Sequence, residues 1–222
     1  MRWKRPGQSR GMRRGFCKDV MHLRFSISLF LVAWIAPLAA EDSPPLLEEA
    51  QTKRLAAGEC LVLERRPDEF GDPDVRFVTT ARLIKGTRET IWEVINDKDH
   101  AAEFLDGVLE SKVLKREGNR LLVEQRTHVG GPKGAYRYRL IHELTPMIRA
   151  TFTYAGGELS DVIGAWWIFE GPDAGGCLVV YSVHIDAGFF APQAIVKAGM
   201  KKTMPRTMAA IAKEVARRDA SR

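Results

Sequence analysis

Hydrophobic and polar positions alternate with a period of two over most of the chain, as in strands with one buried face. Short stretches of turn-forming residues, such as Glu117-Gly118-Asn119, connect the alternating segments. Short connections between consecutive strands predict an antiparallel sheet. The predicted strands are Gly58–Arg66, Val75–Ile84, Glu110–Arg116, Arg120–Val129, Ala135–Leu144, Ile148–Tyr154, Ser160–Glu170 and Gly176–Asp186.

Helical spacing interrupts this alternation twice. Two short helices are predicted between the second and third strands, one opening at Thr87 and one over Asp97–Leu105. The final segment, Pro192–Arg218, is predicted to be a long helix with a kink or break at Pro205, near Thr203. Its apolar face comprises Ile195, Val196, Met200, Met204, Met208, Ile211 and Val215.

These elements together predict an α+β fold. A curved antiparallel sheet of about seven strands wraps on the long C-terminal helix, and two short helices follow the first core strand. A curved sheet that wraps on one helix leaves a cavity between the two layers.

The pattern of the first 40 residues is typical of a targeting segment. Phe25–Ala40 is an uncharged apolar run that follows a basic flank, and polar residues begin at Glu41. This is the pattern of a cleaved signal peptide, and the run is short for a membrane span. After cleavage we expect the body to be periplasmic or secreted; the alternative is an uncleaved membrane anchor, with the body facing the same extracytoplasmic compartment.

Three methionines are candidate starts of this segment. Met21 would give a compact signal, whereas a start at Met1 or Met12 would include Arg13-Arg14, which resembles a twin-arginine motif. Residues 41–57 read as a lead-in that forms a short helix, and 58–222 as the folded domain.

Composition fits one globular domain, with 222 residues, 45% hydrophobic and 28% charged. The net charge of +6 is unevenly spread. Residues 1–40 hold eight basic side chains and one acidic, whereas 41–222 hold 26 basic and 27 acidic. A body with a net charge of −1 has no bulk attraction for phosphates, which argues against a nucleic-acid partner.

Two cysteines remain beyond the targeting segment, Cys60 and Cys177. In an oxidising compartment they can form a disulfide, or they can be small buried strand residues; the sequence leaves both open.

Strand alternation brings candidate ligand-binding residues to one sheet face. His142 is also a candidate acid or base, because it shares its face with Tyr138. No HExxH, CxxC or Gly-x-Ser-x-Gly pattern occurs, so neither a metal nor another cofactor is expected. The predicted cavity-lining residues are Tyr136, Tyr138, His142, Phe152, Tyr154 and Trp166, with Trp167 pointing the other way or replacing Trp166.

The segment Ala81–Glu117 resembles the START-like (SRPBCC) superfamily, in its polyketide-cyclase/dehydrase and coenzyme-Q-binding branch. Ile91-Trp92-Glu93-Val94-Ile95, with Asp97, Phe104 and Gly107-Val108, follows the branch pattern, whereas Gly86-Thr87 replaces the usual proline. Similar features occur at Gly164-Ala165-Trp166 and from Asp186 to Pro192, so the resemblance covers about residues 58–219. It implies a helix-grip fold with a central cavity.

The resemblance and the apolar inner faces lead to three functional hypotheses. The first is extracytoplasmic, non-catalytic binding of a hydrophobic small molecule, lipid- or quinone-like. The second is a polyketide cyclase or aromatase that uses polar residues such as His142, Tyr138 or Arg126. The third is a protein-interaction module. The apolar loop Phe189–Pro192 either contacts a membrane transiently or packs under the last helix.

Overall fold

The computed structural model describes residues 47–63, 77–128, 134–172, 175–189 and 191–222. Within these ranges the chain folds into one sheet and four helices. In chain order the elements are α1 (Glu49–Ala56), β1 (Leu61–Leu63), β2 (Val78–Lys85), α2 (Arg88–Asn96), α3 (Ala101–Phe104), β3 (Val108–Glu117), β4 (Arg120–His128), β5 (Ala135–Thr145), β6 (Arg149–Gly157), β7 (Asp161–Glu170), β8 (Gly176–Asp186) and α4 (Gln193–Asp219).

The sheet is antiparallel throughout and has the strand order β1-β2-β8-β7-β6-β5-β4-β3. Strands β3 to β8 follow one another through short connections, and β2 returns to pair with β8. The long helix α4 packs on the face of this sheet that carries the main apolar cluster. The predicted α+β helix-grip fold is confirmed.

Alternation along the strands divides the buried residues between two clusters. The inner cluster lies between the sheet and α4 and includes Phe152 and Trp166. The outer cluster lies on the opposite face and joins Trp167 to Leu55 of α1. Trp166 therefore faces α4, and its neighbour Trp167 faces away from it. Alternation alone could not decide which of the two faces the helix. The lead-in helix also has a packing role, because Leu55 is buried in the outer cluster.

Helix α4 buries most of its predicted apolar face against the sheet. Val196, Met200, Met204, Met208, Ile211 and Val215 are buried. The prediction that Ile195 belongs to this face is wrong, because its side chain lies in the first turn of α4 and is 58% exposed. A kink or a break was predicted near Thr203; the break is wrong, since α4 is continuous through Pro205, and the kink stays a prediction. Pro205 removes one N–H, and the carbonyl left without it belongs to the exposed Lys201, where water can bind it.

The C-terminal end of α4 is fixed to the start of α2. Thr87 caps α2 by accepting a hydrogen bond from the Thr90 amide at 3.1 Å, and the Thr90 hydroxyl donates to Asp219 at 2.6 Å. Gly86 has a φ of +135°, and a Cβ there would lie 2.6 Å from Val215. A glycine is therefore needed where the β2–α2 turn approaches α4.

The second short helix is shorter than predicted. The prediction began at Asp97, but α3 comprises only Ala101–Phe104. The Asp97 carboxylate forms an ion pair with Arg218 of α4 at 2.6 Å, and the Lys98 ammonium donates a hydrogen bond to the Ile95 carbonyl at 2.7 Å. These bonds hold the two residues at the end of α2.

Cys60 and Cys177 are both free, so the disulfide considered from sequence is not formed. Cys60 precedes β1, and Cys177 lies in β8; β1 and β8 flank β2 on opposite sides. Strands two positions apart are separated by about 10 Å, which is too far for a disulfide. Burial raises the pKa of the Cys60 thiol to about 11, so this thiol is unreactive at neutral pH.

Residues 1–40, with the predicted targeting segment and Cys17, lie outside the described residues. So do the beginning of the lead-in, residues 64–76 and 129–133, which hold one end of each of three predicted strands, and Phe190. Over the described ranges, no helix combines the length and apolar character needed to cross a membrane.

Candidate ligand-binding cavity

A cavity of about 400 Å³ lies between the inner face of the sheet and α4. Helices α2 and α3 contribute Val94, Ala101 and Phe104 to its wall. The volume lies in the range of pockets that bind small molecules. The sheet residues of the lining are Val108, Gln125, Thr127, His128, Tyr138, Leu140, His142, Phe152, Val162, Trp166, Tyr181, Val183 and Ile185.

Aromatic rings cover the floor of the cavity. Trp166 and Tyr181 stack with ring centroids 3.8 Å apart and planes 8° from parallel. Phe152 lies 6.3 Å from Tyr181 and 5.5 Å from His142, in both cases tilted. This row of rings gives a flat, apolar surface suited to an aromatic or aliphatic ligand.

Two polar groups on β4 and β5 have partners within the protein. The Tyr138 hydroxyl donates to Thr127 at 3.3 Å, and the Gln125 amide donates to Ser111 at 3.2 Å. Burial raises the pKa of Tyr138, so its hydroxyl stays protonated at neutral pH.

Two basic residues lie in the wall of the same cavity and are less well satisfied. Lys98 is 7% exposed and His142 is 3% exposed. Within the part of the chain that the structure describes, neither ring nitrogen of His142 has a hydrogen-bond partner. Burial and the nearby Lys98 charge hold the pKa of His142 well below its usual range, and burial lowers the pKa of Lys98 to about 8. At neutral pH the imidazole is uncharged and the lysine carries one positive charge.

The cavity opens between the α3–β3 connection and the middle of α4. The lining residues there are exposed, namely Asp106, Thr203 and Arg206. Gly107 and Gly199 face the same opening and carry no side chain to narrow it. A ligand can therefore enter past polar groups before it reaches the aromatic floor.

Four of the six predicted site residues line this cavity: Tyr138, His142, Phe152 and Trp166. Tyr136 and Tyr154 share their sheet face but lie outside the lining. Tyr154 donates its hydroxyl to the Leu159 carbonyl at 2.6 Å, and the buried Leu159 packs in the same apolar cluster. Ligand binding by any of the six stays a prediction.

Sequence reasoning misplaced one residue, Arg126, and missed two, Tyr181 and Lys98. Arg126 is on the outer face, where it pairs with Glu110 at 3.1 Å, because it alternates with Gln125 and Thr127. Tyr181 could have been found from the alternation of β8. Nothing in the sequence marks Lys98 as buried, because a lysine between two aspartates is typical of a solvated loop.

The described residues contain no group of three or more His, Cys, Asp or Glu side chains arranged to hold a metal ion. The chemistry that remains is that of one imidazole, one ammonium and several hydroxyl and amide groups around an apolar space. Such a set can bind, orient or exchange a proton with a ligand.

Solved structures with the same fold include proteins of different activity. An aromatase/cyclase from Streptomyces sp. R1128 is 17% identical, with 65% of this chain and 95% of that chain covered and a TM-score of 0.58. A STAR-related lipid transfer protein from Xanthomonas axonopodis is 16% identical, with coverages of 71% and 93% and a TM-score of 0.58. Human StAR-related lipid transfer protein 5 is 13% identical, with coverages of 72% and 83% and a TM-score of 0.57.

At these identities the similarity establishes the fold and leaves the activity open. A search of curated proteins found no match. The family model described as "Polyketide cyclase / dehydrase and lipid transport" matches residues 84–212, which is more than half of the chain and includes the helices and strands that form the cavity. The polyketide-cyclase/dehydrase resemblance seen in the sequence is thereby confirmed, and the chain belongs to the polyketide cyclase/dehydrase and lipid transport family.

Proposed function

We propose that this protein binds a hydrophobic small molecule, lipid- or quinone-like, in the cavity under α4 and carries it without transforming it. The observation that supports this most directly is the aromatic floor formed by Phe152, Tyr181 and Trp166. Contact with such a surface favours a ligand in proportion to the apolar area that it removes from water.

Native mass spectrometry after gentle purification tests this proposal. A lipid or quinone mass that co-purifies with the folded chain would support it. The Phe152→Ala variant should weaken binding of that ligand by about 1–3 kcal/mol, because contact area is lost. Phe169→Ala is the matched control, since Phe169 packs in the outer cluster and does not line the cavity.

Catalysis of the cyclase type is the second candidate. It is favoured by the buried His142, whose unpartnered ring nitrogens lie in the cavity wall where a substrate would be held. In that case His142→Ala should abolish turnover of an aromatic polyketide while binding survives. A carrier would show the reverse order: Phe152→Ala should be the more damaging change for apolar ligands.

The proposed compartment is extracytoplasmic. The support is the charge distribution of the sequence, in which a strongly basic flank and an apolar run precede a nearly neutral body. N-terminal sequencing of protein recovered from a native-like host tests the proposal. A mature chain that begins near Glu41 is expected, and an intact cytoplasmic chain that begins at Met1 would contradict it.

Transient contact with an anionic membrane surface completes the proposal. Phe189 is 95% exposed, and Ile195 is exposed in the first turn of α4. Lys201 and Lys202 are exposed further along the same helix. An apolar pair beside basic side chains is the pattern of an interfacial contact. Phe189→Ser should reduce co-sedimentation with anionic vesicles, whereas Ile148→Ser, which changes an exposed apolar residue elsewhere, should not.

A further inference from the structure

Lys98 and His142 are the two buried basic groups of the cavity wall. Lys98 follows the end of α2, and His142 projects from β5 on the same face as Phe152 and Tyr138. Both are more than nine-tenths buried. They come from parts of the chain far apart in sequence and line the same cavity because the α2–α3 segment packs over the sheet.

Lys98 has unused hydrogen-bonding capacity. An ammonium group has three N–H donors, and the one hydrogen bond that this group makes to a described residue goes to the Ile95 carbonyl at 2.7 Å. The neighbouring carboxylate of Asp97 is already taken, because Arg218 binds one oxygen at 2.6 Å and His100 the other at 2.7 Å. Among the described residues, Lys98 forms no ion pair.

His142 has a similar shortfall. A neutral imidazole offers one N–H donor and one acceptor nitrogen, and neither has a hydrogen-bond partner among the described residues. A buried donor without an acceptor is costly, and so is a buried ammonium whose neighbouring carboxylate, that of Asp97, is already bound by Arg218 and His100. The cavity wall therefore holds two groups that an oxygen-bearing ligand would stabilise.

We propose that Lys98 and His142 bind the carboxylate head group of an amphiphilic ligand, whose apolar body lies on the aromatic floor. One carboxylate oxygen accepts a hydrogen bond from the Lys98 ammonium, and the other accepts one from the imidazole N–H of His142. This inference rests on the proposed function, because it names the ligand class of the same cavity.

The charge count favours a monoanion. His142 is neutral at pH 7, so Lys98 is the one buried residue of the lining that carries a charge, and one carboxylate neutralises it. A phosphate monoester would bring a charge of about −1.5 to −2 and leave part of it uncompensated beside this single buried ammonium. An uncharged ester or alcohol would bring no negative charge to Lys98.

Calorimetric titration with three probes of equal chain length tests the inference: dodecanoate, methyl dodecanoate and dodecanol. The wild-type chain should bind dodecanoate at least tenfold more tightly than the other two. Lys98→Met and His142→Phe should each remove most of this preference and leave the affinity for the ester and the alcohol within about twofold. Lys98→Arg should retain the preference, because it keeps the positive charge.

Lys213→Met is the control for a lost positive charge, since Lys213 is exposed on α4 and does not line the cavity. Equal affinity of the wild type for all three probes, or an unchanged preference in folded Lys98→Met, would overturn the carboxylate site and leave apolar binding intact. If none of the probes binds and no apolar ligand co-purifies, the proposed function fails as well.

Discussion

Gly164 shows how a missing side chain shapes the cavity. It lies in β7 opposite Phe152 of β6, on the inner face between Val162 and Trp166. A Cβ at this position would lie 2.3 Å from the Ser182 carbonyl oxygen and 2.5 Å from the Phe152 ring. The phenyl ring can therefore lie against the backbone of β7 and leave the space above it to a ligand.

The Gly164→Ala variant is expected to be destabilised by about 1–3 kcal/mol, because the added methyl group overpacks the space between the Ser182 carbonyl and the Phe152 ring. Thermal unfolding measures the effect. Gly175→Ala is the control, since a Cβ there meets no atom within 4 Å. Equal melting temperatures for the two variants would show that Phe152 does not pack on Gly164.

Lys98 should make stability depend on pH in the alkaline range. Burial lowers its pKa from 10.5 to about 8 in the folded chain, so the unfolded chain binds more protons between these values. The free energy of unfolding should therefore rise from pH 8 to pH 10.5, and the penalty should be fully present below pH 8.

Urea denaturation of the wild type and of Lys98→Met across this range isolates the effect. The wild type should gain about 3 kcal/mol relative to the variant between the two pH limits. Parallel pH profiles would mean that the ammonium is not buried in the folded chain.

Helix α4 closes the inner face of the sheet through residues spaced three or four apart. Met208 is fully buried at the centre of this face, and the next residue, Ala209, is exposed. Glu214 and Asp97 both bind Arg218, at 2.8 and 2.6 Å, which fixes the end of the helix to the loop after α2. The rotation of α4 about its axis is thus set by both apolar and ionic contacts.

Met208→Asp should lower the free energy of unfolding by about 3–5 kcal/mol, because a carboxylate would enter an apolar interior without a partner. Chemical denaturation measures this loss. Ala209→Asp introduces the same residue one position away and should cost less than about 1 kcal/mol. Similar losses for both variants would contradict the observed orientation of α4.

The strand order of the whole sheet decides which distant residues meet. Strand β2 lies between β1 and β8, which separates Cys60 from Cys177. After purification under oxidising conditions, alkylation and peptide mapping should find no disulfide between Cys60 and Cys177. A Cys60–Cys177 peptide in the main species would contradict this strand order or require backbone movement at β1.

The sequence by itself determined the faces of the elements. Alternation placed Tyr138 and His142 on one side of β5, and helical spacing placed Met208 and Ile211 on one side of α4. These assignments succeeded because the direction of a side chain follows from the local backbone period. The prediction for Ile195 was wrong because the spacing continues into the first turn of α4, beyond the part of the helix that packs on the sheet.

Only the tertiary structure decided which parts of a face border the cavity. Tyr154 follows the same period as Phe152, but its end of the sheet is filled by Leu159, and its hydroxyl bonds to the backbone there. Lys98 lies in a polar stretch that indicates a loop, and it enters the wall because α2 and α4 pack on the sheet. Burial of these groups depends on contacts between residues far apart in sequence, which no local period records.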